Sequence, residues 1–273
     1  MAETRIEQNY RSIERMARLT REGGEDPSQG DEESILSAVK RAALVGGKGH
    51  SPEITLGPTA DLILPEDILA PLRELLSSRG YRPEGITALP LDRRLTAQEY
   101  GEIRTYFDLS YERSGVVDLE RIKRIFPDQK LYHATNGLSY ALQRQVGWLS
   151  PEDIAFVAQE ICQLPDFLEI DPGFFMGSEL SWVAGYAQPW PKNRPNDLLA
   201  VLKIDTTDPR VRKLMNTGIL LEVDIESYRE QLPDTQSFVV RHTDINRTPP
   251  VFEVIAPIAP REHKIRAVLD FNR

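Results

Sequence analysis

The sequence predicts an α+β protein in two parts, a mostly helical region over 1–127 and a sheet-based domain with mostly antiparallel strands over 128–273. Three observations predict it. Up to residue 127 the apolar residues fall mainly at helical spacings. From residue 130 onward short apolar runs follow one another. Stretches rich in turn formers, NRPND, DTTDP and INRTPP, separate those runs and suit chain reversal between neighbouring strands.

In chain order, Ile6, Tyr10, Ile13 and Met16 share one face of a helix expected over 4–20. Residues 22–34, EGGEDPSQGDEES, hold six acidic residues and no apolar one. Such a stretch buries too little surface to offset its ordering entropy, so it reads as a flexible linker. A short helix is expected at 35–44, and GGKGHSPE reads as a loop. Residues 66–78, EDILAPLRELLSS, read as a helix that ends at Gly80. Thr96 and Glu99 make a capping-box pattern that opens a helix through about Tyr111. Asp118 is placed to cap another through Ile125, which Pro127 stops.

The texture changes at Lys130. KLYHAT reads as a strand, and residues 138–147 and 151–163 read as helices, the second opened by Ser150 as cap and Pro151 in the first turn. Strands are then expected at 174–176, 198–204, 218–225, 237–242, 251–257 and 265–269.

Composition narrows the function classes. The chain has 273 residues, 40% hydrophobic and 27% charged, an ordinary globular balance. No stretch approaches the roughly 18 apolar residues of a spanning helix, so no membrane span is expected. The opening MAETRIEQNY lacks an apolar core, so no Sec-type signal peptide is expected. The single cysteine, Cys162, cannot form an internal disulfide or a cysteine-based zinc site. These features suit a cytoplasm, that of the producing cell or of a target cell. A net charge of −9 disfavours non-specific nucleic-acid binding.

Single motifs are sparse. The four histidines, His50, His133, His242 and His263, show no zincin spacing, and there is no Walker A, GxGxxG or GxSxG sequence. No metal site is expected. Cys162, in AQEICQLP, reads as a buried structural thiol. Three elements remain. In Lys130-Leu-Tyr-His-Ala-Thr135, a histidine near a strand end is either a hydrogen-bonded structural residue or open to a ligand. In the run 171–187, Phe175 and Tyr186 lie 11 residues apart, one on a strand and one on a helix. They are either core aromatics or the walls of a slot for a flat, cationic ring. Glu253 sits in the apolar run VFEVIAP, where an unpartnered carboxylate costs several kcal/mol if buried, so it either faces water or lines a cleft.

Together these residues resemble the ADP-ribosyltransferase superfamily in its His-Tyr-Glu class, the catalytic domains like those of diphtheria toxin and the poly(ADP-ribose) polymerases. The resemblance runs over about 130–273. His133-Ala134-Thr135 corresponds to the family's His-Gly-Thr/Ser, Gly173-Phe174-Phe175 to its first tyrosine strand, and Ala184-Gly185-Tyr186 to its second tyrosine. Glu253 corresponds to the late glutamate in order and distance from His133, ahead of Glu222 and Glu226. Residues 198–205 resemble the core strand after the second tyrosine. Ala134 stands in place of glycine, which requires a negative φ there. Phe175 stands in place of tyrosine and keeps stacking without the hydroxyl.

The resemblance implies a split antiparallel sheet with helices and a mono-ADP-ribosyltransferase of toxin or effector type. NAD would be co-substrate, with no metal. Phe175 and Tyr186 would sandwich the nicotinamide, the Ala134 backbone would fix its amide, and His133, with Thr135, would bind ribose hydroxyls. Glu253 would bind the 2′-hydroxyl and stabilise the cationic transition state. The acceptor would be a macromolecule, protein or nucleic acid. Residues 1–127 would bind an antitoxin or chaperone, and Arg194, Arg210, Arg212 and Lys213 lie on the expected cleft side. The alternatives are an NAD glycohydrolase or RNA 2′-phosphotransferase on the same fold, or a non-catalytic partner-binding protein.

Overall fold

A computed structural model of the chain describes residues 36, 37, 40, 52–57, 62–78, 114–126, 130–147, 174–189, 199, 200, 202–230, 238–244, 251–256, 260 and 263–272. It is a mixed α/β structure built on an antiparallel sheet with few helices. The strands are β1 (Glu53–Leu56), β2 (Ser114–Val117), β3 (Leu131–Asn136), β4 (Phe174–Gly177), β5 (Thr217–Val223), β6 (Phe238–Asp244), β7 (Val251–Ala256) and β8 (His263–Asp270). The helices are α1 (Glu66–Ser78), α2 (Leu119–Ile125), α3 (Gly137–Val146), α4 (Leu180–Ala184) and α5 (Pro209–Met215), with a 3₁₀ turn at Ile225–Glu230.

The strand order is β1-β8-β5-β3-β4-β7-β6-β2, and every ladder is antiparallel. The ladders are uneven. β3 pairs with β5 over all six of its residues, and β4 with β7 over four. Between β3 and β4 there is one register pair, Tyr132 with Gly177. Two four-strand halves therefore meet at a seam held by a single rung.

Helix formation follows local rules. The Asp118 carboxylate accepts from the Arg121 amide at 2.8 Å and opens α2. Asn136 does the same for Ser139 at 2.9 Å, and Gly147, at φ 76°, ends α3 in the left-handed region. Both strand and helix sides bury apolar residues. Leu69, Leu72 and Leu76 of α1 join Leu138 and Leu142 of α3, Leu214 of α5 and Ile219 and Leu221 of β5 in one cluster. Ile122 and Ile125 of α2 join Leu131, Phe174, Phe252 and Val254 in a second. On the opposite face, α4 covers Tyr132, Leu220, Ala267 and Leu269.

Three expectations need correction. First, the region read as helical supplies both edge strands, β1 against β8 and β2 against β6. Ile125 and Leu131, on either side of residue 127, share one cluster. Strands of four residues carry too little alternation to be distinguished from loop. Second, the described residues of the run 198–204 form no strand. Leu199 and Ala200 are helical, the Ile204 amide donates to the Leu199 carbonyl at 2.8 Å, and Lys203 has φ 57°. Leu199, Leu202 and Ile204 all reach the first cluster from this turn, so an apolar run mimicked a strand. Third, DTTDP at 205–209 reads as a turn between strands, but its Asp208 caps and its Pro209 opens the helix α5.

The helices at 66–78 and 119–125 and the strands holding His133, Phe175 and Glu253 lie where expected. Residues 36, 37 and 40 of the short helix expected at 35–44 are helical. The expected helices at 4–20, 97–111 and 151–163, the linker at 22–34, Cys162 and Arg194 lie outside the described residues. Among the described residues no helix is long and apolar enough to cross a membrane, and no group of three or more potential ligands is placed to hold a metal ion.

Candidate functional site

Alternation along β3 sets its two faces. Leu131, His133 and Thr135 point one way, and Tyr132 and Ala134 point the other, toward α4. The His133 ring lies on the Phe174 ring, centroids 4.0 Å apart. Its Nδ1 is 2.6 Å from the Phe175 carbonyl oxygen. A carbonyl only accepts, so Nδ1 carries the proton and donates. The ring is half-buried, and burial lowers its pKa to about 4, against the opposing effect of the Phe175 hydrogen bond. The neutral ring therefore presents Nε2 as an acceptor. Thr135 is half-buried two residues further on. Ala134 has extended backbone; among described non-glycine residues, positive φ occurs at Lys203.

Phe175 and Glu253 reach the other face. In the β4–β7 ladder Phe175 is opposite Ile255 and Gly177 is opposite Glu253. Phe175 and Glu253 are thus diagonal neighbours on one face, a spacing of about 7–8 Å. Phe174, Met176, Phe252 and Val254 fill the cluster behind them. Glu253 is 6% exposed, the one charged residue so deeply buried among those described. Burial of a carboxylate inside a strand is costly and marks candidate sites. Ser178 pins this corner: its amide donates to the Phe252 carbonyl at 2.9 Å, and its Oγ accepts from the Phe252 amide at 3.0 Å.

The other two glutamates are engaged elsewhere. Glu222, on β5, ion-pairs with Arg266 and, at 3.2 Å, with Lys130. Glu226, in the 3₁₀ turn, is exposed and pairs with Lys123 and Arg229.

Tyr186 follows α4 and is 61% exposed. Two glycines set the path of α4. A Cβ on Gly177 would lie 2.3 Å from Val183 and 2.9 Å from the Trp182 ring. A Cβ on Gly218 would lie 2.2 Å from the Ala187 carbonyl oxygen. The segment therefore starts over β4, crosses β3 and comes down on β5. It carries Tyr186 to the Asn136 end of β3, because Asn136 is opposite Gly218.

Tyr132, Gly177 and Glu253 stand in one row across three strands, so Glu253 is about 10 Å from Tyr132 along that row. Beyond that rung no further register pair joins β3 to β4. Past that rung His133, Ala134 and Thr135 follow on β3 and Phe175 on β4, with the His133–Phe175 hydrogen bond between the two strands, and Glu253 stands in the row itself. His133 and Glu253 belong to opposite faces of the sheet. The seam therefore carries an acceptor nitrogen on one face and a carboxylate on the other.

Of the basic residues expected on the cleft side, Arg210 is engaged in ion pairs with Asp67 and Asp208, both at 2.7 Å. Asp208 is lowered to about 2 by its hydrogen bonds from Arg210. Gly177 and Trp182 are structural members of the site that residue-by-residue reading passed over. Their signal was a glycine closing a strand five residues ahead of a tryptophan. Comparison of the chain with protein-family models, with curated proteins and with solved structures finds no match.

Proposed function

We propose that the chain is a mono-ADP-ribosyltransferase that cleaves NAD, releases nicotinamide and transfers ADP-ribose to a macromolecular acceptor. The observation that carries the reading is the row Tyr132–Gly177–Glu253. It sets a buried carboxylate beside the strand of Phe175 and two strands from that of His133, where the β3–β4 ladder ends. The resemblance of the His-Ala-Thr, Phe…Tyr and Glu elements to the His-Tyr-Glu class supplies the chemistry.

The residues suit this ligand. NAD supplies a cationic pyridine ring as leaving group on a ribose. Phe175, half-buried, offers one ring face, and Tyr186, exposed on the same side of the sheet, offers another. His133, neutral at Nε2, accepts a hydrogen bond from a ribose hydroxyl. The Ala134 backbone and the Thr135 hydroxyl are the polar groups nearest along β3. Glu253 supplies negative charge to a site that develops positive charge as the C–N bond breaks. In a water-poor setting that interaction is strong.

The test is incubation of the purified protein with NAD labelled in its adenylate phosphate and a whole-cell lysate, with nuclease or protease treatment before separation. A labelled macromolecule, lost in Glu253→Gln, supports the reading. The treatment that removes the label identifies the acceptor as nucleic acid or protein. Labelling by Glu253→Gln at the wild-type rate would sink the assignment. Nicotinamide release without a labelled acceptor would make the protein an NAD glycohydrolase.

A further inference from the structure

We propose that Trp182 is the positioning residue that sets where the Tyr186 ring stands at the site; the function of that position rests on the reading above, whereas the coupling of the two rings does not. Three contacts place Trp182, two through its ring and one through its main chain. Its six-membered ring lies over the Cα of Gly177, with Cε3 and Cζ3 each 2.9 Å from where a Cβ would be. Its backbone carbonyl accepts from the Gly185 amide at 3.3 Å, one residue before Tyr186. Its ring meets that of Tyr186 edge-on, with centroids 5.1 Å apart and planes at 67°.

The consequences follow from what each contact leaves free. The backbone around Tyr186 is set by amides 186 and 187, which donate to Val183 at 2.9 Å and Ala184 at 3.2 Å, and by Ala187 resting on Gly218. The Tyr186 ring is 61% exposed, so the contacts it makes select its rotamer. The indole edge is one of those contacts and favours this rotamer, since edge-to-face pairs prefer this separation and tilt. Because the same indole sits on Gly177, directly opposite Glu253, it links the tyrosine to the carboxylate through one rigid plane. A larger residue at 177 would move the plane and the tyrosine together.

Two readouts test this. In protein carrying 3-fluorotyrosine, the Tyr186 fluorine resonance, assigned with Tyr186→Phe, reports the ring's surroundings. Trp182→Leu should move it toward the free-chain value, and Trp182→Phe should leave it near the wild-type position. By calorimetry, Trp182→Leu should weaken NAD binding by roughly tenfold, with most of that loss restored by Trp182→Phe. A Tyr186 resonance unchanged in Trp182→Leu would overturn the inference, as would wild-type NAD affinity in that variant. If the wild type fails to bind NAD while the resonance still follows residue 182, the coupling stands and the proposed activity falls.

Discussion

The imidazole of His133 and the main chain of Phe175 are joined by a 2.6 Å hydrogen bond across the seam of the sheet. It fastens a side chain of one half to the backbone of the other, beside the only β3–β4 register pair described. The bond also fixes the tautomer, so the nitrogen facing away from Phe175 accepts. His133→Asn, which cannot place both a donor and a distant acceptor in the same way, should lower the rate of nicotinamide release by about 10²-fold. Steady-state kinetics with NAD checks it, and a rate within twofold of wild type contradicts the assigned role.

The same ring makes stability depend on pH. Its pKa is lowered from 6.5 in the unfolded chain to about 4 in the fold, mainly by burial. His263, whose Nε2 lies 3.1 Å from the Tyr140 hydroxyl, is lowered to about 4 for the same reason. Between those values the unfolded chain binds more protons, so stability is fully present above pH 6.5 and falls as the pH drops toward 4. For His133, a ring in partial contact with solvent, the loss is about 2–3 kcal/mol. Chemical denaturation at pH 7, 5.5 and 4.5 should show the decline, and His133→Asn should flatten it.

Glu253→Gln keeps the shape of the buried side chain and removes its charge. The nicotinamide release rate should fall by about 10²–10³-fold while the unfolding midpoint stays within a few degrees of wild type. Paired kinetic and thermal measurements separate the two effects. A collapse of the fold with no loss of rate per folded molecule would make Glu253 a structural residue.

Lys203 holds φ at 57°, a region costly for a side-chain-bearing residue. Lys203→Gly should stabilise the protein by about 0.5–1 kcal/mol, since relief of strain exceeds the greater freedom of glycine in the unfolded state. Urea titration at neutral pH reads the sign directly.

A fragment spanning 128–273 lacks β1, α1, β2 and α2, and with them Leu69, Leu72, Leu76, Ile122 and Ile125, all at 0% exposure. It should not fold cooperatively, and its circular dichroism should lack a sharp thermal transition. A cooperative transition like that of the full chain would support the boundary read from sequence.

Much of the fold and site was legible because particular residues obey local rules. Asp118 caps α2, the 66–78 pattern is amphipathic, and the runs around His133, Phe175 and Glu253 are apolar enough to be strands. What escaped depends on partners far along the chain. Nothing in SGVV announces Val240 opposite Gly115, and nothing in EITL announces Leu269 opposite Ile54. The run at 198–204 misled because Leu199, Leu202 and Ile204 are apolar for a core they reach by turning back. The pairing of Glu253 with Gly177 is likewise a property of register, which alternation within one strand does not specify.

The outermost rung of the sheet joins Glu53 to Asp270, roughly two hundred residues apart. A ribosome releases β1 long before it makes β8, and β5 must wait for the same strand. The sheet therefore cannot be completed until β8 has been made. Closing so long a loop is entropically slow, so early strand edges stay open in the nascent chain. A chain stopped before His263 would strand two ladders at once.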